Sequence, residues 1–371
     1  MYQLDKRIVV TLDAGGTNFV FGAYRGDGSI VDPVVLPSRA TVLDECMSQI
    51  VKGFRMIIDQ LAENPVAISF AFPGPADYRN GIIGGFLMNF PSFRDGVALG
   101  PFLEETFGIP AFINNDGDLY AYGEALAGVL PEVNKRLADA GSAKRFHNLL
   151  GYTFGTGFGV GMVSDGHLLQ GDNSCVETFC LRHKKLPNVV VEDGVSIRAV
   201  KRVYAEVSGI NDPTLEPFDI YNIGIGKREG DRQAAMRAFE ELGEVAGDAM
   251  ASAVTLFDAL IVIGGGLTAA HELFMPALLR EMRGKMSSLA GEVFDRLMMK
   301  VYNLDDEAEF EQFARGEQRI IDVYGTRKKT IYDPHKRIGV MVSRIGASRA
   351  ISLGAYAYAL NRIDESHRIS G

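Results

Sequence analysis

Apolar and polar positions along this chain switch repeatedly between a strand period and a helix period. Residues 8 to 12 form a nearly continuous apolar run that predicts a buried strand, and 19 to 24 predict a second strand after a glycine turn. Arg25-Gly26-Asp27-Gly28 then reads as a hairpin turn. Val42, Cys46, Ile50, Phe54 and Ile57 or Ile58 recur at three- to four-residue spacing, predicting a helix over 43 to 61. A strand over 66 to 72 stops at Pro73-Gly74-Pro75. A helix over 99 to 107 ends at Gly108, and a short strand follows over 111 to 114.

The opening pattern returns. Residues 149 to 154, a glycine turn, 160 to 163 and Asp165-Gly166 again read strand, glycine turn, strand, hairpin. LDAGGTNFVFGAYRGDG and YTFGTGFGVGMVSDG look like one unit used twice, at a spacing too wide for a solenoid, which predicts two similar α/β lobes. Helices over 196 to 207 and 232 to 257, a strand over 260 to 263 and a helix over 269 to 285 continue the second lobe. Two charged stretches depart from the pattern: 131 to 147 reads as a surface helix or loop, and 303 to 336 as a solvated insertion.

A chain of 371 residues is long for one domain and suits two lobes. The formal charge of −9 argues against a nucleic-acid surface, which needs clustered Lys and Arg. No segment is apolar and long enough to cross a bilayer, and the first residues enter a strand without a signal-peptide core. Three cysteines are too few for a disulfide framework, so a reducing, cytoplasmic setting is expected. The 42 glycines are clustered, marking places where the backbone turns sharply or approaches a ligand.

Those clusters carry the candidate chemistry. In Asp13-Ala14-Gly15-Gly16-Thr17-Asn18, glycines let backbone N–H groups reach phosphate oxygens, and Thr17 or Asn18 adds side-chain donors. Asp13 at the strand end suits Mg²⁺ held through water. The alternative is a plain tight hairpin. Gly155-Thr156-Gly157 has the same form in the second lobe, and two such loops across a cleft would clamp a polyphosphate. Neither is a Walker A loop, and the run from Gly155 does not fit the dinucleotide fingerprint. Gly264-Gly265-Gly266 lets adenine lie against a strand end, or is simply a helix entry. Asn115-Asp116 suits a general base with an orienting amide, although taken alone it reads as a helix cap.

In order, Asp13 to Thr17, Pro73-Gly74-Pro75, Asn115-Asp116, Gly123-Glu124, Gly155 to Gly157, Gly264 to Gly266 and the closing SRIGASRAISLGAYA stretch resemble the ROK family of sugar kinases and repressors. The ordered set spans nearly the whole chain and is far more specific than any one motif. The resemblance implies a two-lobed actin-like ATPase (ribonuclease H-like) fold with ATP, Mg²⁺ and a sugar bound in the interlobe cleft. It implies a small lobe over 1–118, completed by a C-terminal helix over 345–362, and a large lobe over 119–344. It carries Asp116 over as catalytic base and Asn89, Asn115, Glu177 and Glu192 as sugar contacts. The implied reaction is ATP-dependent phosphorylation of a hexose, glucose first, and a homodimer is compatible with it.

One segment departs from the family. Val176-Glu177-Thr178-Phe179-Cys180 keeps the glutamate but has cysteine where a sugar- and zinc-binding histidine is expected, and the cysteine-rich zinc loop is missing. Cys175, Cys180 and His183 make at most three ligands, so no zinc site is expected; the alternative for the cysteines is a buried or semi-buried pair. The change leaves open another sugar such as an N-acetylhexosamine or fructose, polyphosphate as donor, or a non-catalytic sugar-binding regulator. A repressor is disfavoured because only a dozen residues precede Asp13.

Overall fold

The computed structural model describes residues 2, 4–74 and 76–370, with the backbone alone for 369 and 370. Pro75 of the Pro-Gly-Pro turn lies outside the described residues. Internal contacts group the chain into two units: Met1–Gly128 with Gly161–Val176 and Ile345–Gly371, and Val129–Val160 with Glu177–Arg344.

In the first unit, β1 (Val9–Ala14) and β2 (Asn18–Arg25) pair antiparallel, and β3 (Gly28–Ser29) and β4 (Val34–Pro37) both pair with β2. Helix α1 (Leu43–Ile58), β5 (Ala67–Ala71), α2 (Leu99–Phe107) and β6 (Ala111–Asn114) follow. β1, β5 and β6 run parallel, giving the sheet order β3-β2-β1-β5-β6. Phenylalanines fill one face of this sheet. Phe72 lies 4.6 Å from Phe90 and 5.2 Å from Phe93 between ring centroids, and Phe90 stacks on Phe19 at 6.0 Å. Helix α3 (Asp116–Ala127) starts directly after β6 because Asn115 is extended there and caps it.

The next elements are α4 (Val129–Asp139), β7 (Asn148–Phe154), β8 (Phe158–Ser164), β9 (His167–Leu168), α5 (Ile197–Ser208), α6 (Pro217–Gly224) and α7 (Arg232–Leu256). β10 (Leu260–Gly264), α8 (His271–Met282), β11 (Lys300–Asn303), α9 (Glu307–Arg315) and β12 (Arg337–Val342) complete the second set. The second sheet has the order β9-β8-β7-β10-β12-β11, with β7, β10, β12 and β11 parallel. Its first five strands follow the path of the first sheet, so the opening that recurs in the sequence is a recurring sheet. The stretch 303 to 336 is less solvated than its charge implies. Phe310 and Phe313 of α9 are buried, and the stretch exposed throughout is the hairpin over 319–332, with strands Arg319–Asp322 and Lys329–Tyr332.

Helix α10 (Ala347–Ser370) packs along α3, which groups residues 119–128 with the first unit; with 161–176 also there, the expected lobe over 119–344 is reduced to 129–160 and 177–344. The two helices touch backbone to backbone. A Cβ on Gly354 would lie 1.9 Å from the Leu119 carbonyl oxygen, and one on Gly123 would lie 1.9 Å from that of Ala350. Gly354→Val is therefore expected to force the helices apart, costing about 1–3 kcal/mol. Thermal denaturation should show a Tm lowered by several degrees.

Candidate active site

Parallel pairing brings the candidate residues of the first unit to one sheet edge. Asp13 of β1 is in register with Ala71 of β5, and Ala71 with Asn114 of β6, so Asp13 and the Asn115-Asp116 pair stand at the carboxyl ends of neighbouring strands. Gly15 and Gly16 turn the chain between β1 and β2, and Thr17 and Asn18 are exposed beside them. Gly16 sits on the Asn89 side chain: a Cβ there would be 2.8 Å from the Asn89 Cβ. Asn89 itself is exposed and is held in place by its neighbour Phe90, which is buried in the phenylalanine core. Ser38, which sequence reasoning missed, is buried. Its hydroxyl donates to the Gly16 carbonyl and its N–H to that of Thr17 at 2.9 Å.

Asn115 does act as a cap, its Oδ1 accepting from Gly117 N at 2.7 Å. That fixes its amide orientation and leaves the NH₂ as the group it can present. Asp116 Oδ1 accepts from the same N–H at 2.9 Å. Asp116 is exposed as a residue, yet desolvation of its carboxyl by the protein beside it pushes its pKa above the ordinary Asp value. The charge on Asp13 adds to the rise, while backbone N–H groups oppose it. Asp13 is also raised by partial burial. Among the described residues no Lys, Arg or His pairs with Asp13, so its carboxylate is available to a hydrated cation.

In the second unit the two glycine clusters are neighbours. β7 and β10 pair so that Thr153 is opposite Gly264, placing Gly155-Thr156-Gly157 and Gly264-Gly265-Gly266 at adjacent carboxyl ends. Gly155 N donates to Gly157 O at 3.1 Å, closing a tight turn, and Ile197 N at the start of α5 donates to Gly155 O at 2.8 Å. The Glu192 carboxylate lies on this loop, with Oε2 accepting from Phe158 N at 3.1 Å. Arg198, also missed from the sequence, donates to Thr156 O at 3.2 Å and stands 3.4 Å from Glu192 Oε1. Glu192 N in turn donates to Phe179 O at 3.3 Å, which brings the Glu177 segment alongside Glu192.

The cysteines are not a buried pair: Cys175 and Cys180 are both exposed. His183 is buried, and its Nδ1 accepts from the N–H groups of Lys185 at 3.1 Å and Leu186 at 3.2 Å. These bonds define the Nε2–H tautomer, and burial lowers the ring's pKa, so it is neutral. His183 thus closes a backbone turn. Among the described residues no three His, Cys, Asp or Glu side chains converge to cage a metal ion, and no helix is long and apolar enough to cross a membrane.

The ROK family model matches residues 9–179 of this chain. The crystal structure of a glucokinase from Parabacteroides distasonis is 59% identical, with a TM-score of 0.91 over 97% of this chain and 99% of that one. A glucokinase from Thermotoga maritima is 26% identical over 302 residues, covering 74% of this chain and 87% of the relative. A ROK family glucokinase from Streptomyces griseus, crystallised with glucose and AMPPNP, shares the fold at 17% identity, with a TM-score of 0.59 over 94% of this chain and 98% of that one.

Proposed function

This chain belongs to the ROK family, and from that premise we propose that it transfers the γ-phosphoryl group of ATP to a hydroxyl of a hexose, with glucose as the first candidate. The doubled sheet is the actin-like ATPase fold of ROK sugar kinases. The observation that carries the proposal is the shared carboxyl edge of β1, β5 and β6, which sets the raised carboxyl of Asp116 near the charge on Asp13. Near full-length likeness to a glucokinase favours glucose.

Phosphoryl transfer needs little covalent chemistry from the protein, chiefly positioning, charge stabilisation and one base. Asp116 accepts the proton of the attacking sugar hydroxyl. Asn89 and the free NH₂ of Asn115 orient neighbouring hydroxyls, and Glu177 and Glu192 accept from others. Backbone N–H groups of Gly15, Gly16 and Thr17, with the Asn18 side chain, hold phosphate oxygens, as do those of Gly155, Thr156 and Gly157. The Gly264 to Gly266 turn backs the adenine. Mg²⁺ arriving with ATP offsets phosphate charge, and the Asp13 carboxylate is suited to hold its water shell.

ADP release measured with ATP-Mg²⁺ across glucose, mannose, fructose, N-acetylglucosamine and N-acetylmannosamine tests this reading. Turnover on glucose above the others is expected; absence of sugar-dependent turnover on every hexose would overturn it. The exposed Cys180, where the family pattern has a sugar-binding histidine, favours a second reading, a kinase for another of these hexoses. A preference for an N-acetylated sugar would establish that one instead.

A further inference from the structure

Two carboxylates share the first turn of α3, in unlike surroundings. Asp116 is exposed, whereas Asp118 is buried, only 7% exposed. Among the described residues no cationic side chain pairs with Asp118, and its hydrogen-bond partner is the side chain of Gln170. That amide is itself spoken for on both ends. Its Nε2 donates to Asn114 Oδ1 at 2.6 Å, and its Oε1 accepts from the Tyr358 hydroxyl of α10 at 3.3 Å. Asn114 is fully buried and is the last residue of β6, immediately before Asn115 and Asp116. One half-buried side chain, Gln170, therefore ties the strand end, the first turn of α3 and α10 together.

An ionised Asp118 would be a buried, unpaired charge in the same turn as a second carboxylate, with Asp13 close to that carboxylate. Resting on the phosphoryl-transfer reading, we propose that Asp118 is a positioning residue that works as a neutral carboxylic acid. Protonated, it holds Gln170 and the first turn of α3 and leaves Asp116 as the only charged carboxylate of that turn. Gln170 cannot be found from local sequence pattern, since it lies 56 residues from Asn114.

Charge and burial around Asp118 bear this out in direction. Burial is the largest influence and the Asp116 charge adds to it, pushing Asp118 up to about 8, while the Gln170 hydrogen bond pulls it down. From α10 it faces Tyr358, whose hydroxyl is itself raised by burial and feels Arg362, Glu365 and Arg79 in turn. Ionisation of Asp118 at alkaline pH places a second negative charge beside the base and the incoming phosphates.

The test compares wild type, Asp118→Asn and Asp118→Ala in the full chain, by kcat from pH 6 to 10 with ATP-Mg²⁺ and glucose and by Tm over the same range. Wild-type kcat is expected to fall about tenfold from pH 7 to pH 9, following loss of one proton near pH 8. That alkaline limb should vanish in Asp118→Asn. At pH 7 the Ala variant should lose about tenfold in kcat and the Asn variant should restore most of it, because Asn keeps a neutral partner for Gln170. The Tm comparison does not depend on activity. A folded-state pKa above the unfolded value gives stability that is present below about pH 4 and lost as pH rises toward 8. The Tm of Asp118→Asn should therefore gain on wild type from pH 6 to 8 and then level off. An alkaline limb that persists in the Asn variant, an Asn variant as damaged as Ala while still folded, or parallel Tm curves would each overturn the proposal. Failure of the phosphoryl-transfer reading would instead appear as no turnover in wild type, with the Tm difference intact.

Discussion

Asp116→Asn is expected to lower kcat by about 10²–10⁴-fold, the usual contribution of a positioned general base, with KM for ATP and sugar within a few-fold of wild type. The substitution is close to isosteric. Asn keeps an acceptor for Gly117 N, which Asp116 Oδ1 now engages at 2.9 Å, and Asn115 still caps α3. What it removes is the capacity to take a proton. The same substitution should raise Tm at neutral pH. Burial and the Asp13 charge hold the folded-state pKa of Asp116 above its unfolded value. Its contribution to stability is thus complete below about pH 4 and is lost as pH rises through the folded pKa, so the ionised carboxylate weighs against folding at pH 7. A variant that is nearly inactive yet more heat-stable is the signature of a residue retained for chemistry. Wild-type kcat should also fall on the acid side, with its midpoint above the ordinary Asp value. Turnover within tenfold of wild type in Asp116→Asn would remove Asp116 from the base role.

Legibility in the sequence followed the range of the interactions. β1, β2, α1, α2 and β6 were readable because each is specified by periodicity or by a local stop such as Gly108. Both glycine loops and the Asn115-Asp116 pair were readable because short-range geometry demands those residue types. Ser38, Gln170 and Arg198 were not, because each acts on a partner far along the chain: 22 residues from Gly16, 56 from Asn114 and 42 from Thr156. Nothing in a Ser, Gln or Arg on its own announces such a partner. Helix α9 failed for another reason. Phe310, Phe313 and Ala314 do show helical spacing, but the surrounding Glu, Gln and Arg residues read as solvated chain when composition is weighed before period. The cysteines misled in the opposite way, since free Cys is commonly buried and Cys175 and Cys180 are exposed.

The second large effect is expected at the nucleotide side of the proposed site. Gly265 and Gly266 look interchangeable in sequence, but they differ sharply in what a side chain would meet. Gly265 has φ +93°, and a Cβ there would lie 2.3 Å from the Phe154 carbonyl oxygen and 2.7 Å from its nitrogen. Both atoms are backbone at the end of β7, one residue before the Gly155 to Gly157 loop, so no rotamer change can relieve the clash. Gly265→Ala must separate the ends of β7 and β10 or twist the turn out of its positive-φ conformation, which L-residues seldom adopt. Either movement displaces the Gly155 to Gly157 loop, proposed to hold phosphate, together with the turn proposed to back the adenine. The expected result is a KM for ATP raised at least about tenfold, equivalent to about 1.4 kcal/mol of lost binding, with a lowered Tm and an unaltered order of sugar preference. Gly266→Ala is the internal control: its Cβ would meet nothing within 4 Å, so Tm should hold even if nucleotide contact changes slightly. A Gly265→Ala protein with wild-type KM for ATP would show that this turn does not carry the nucleotide, and would return Gly264 to Gly266 to the simpler role of a tight entry into the helical segment that follows.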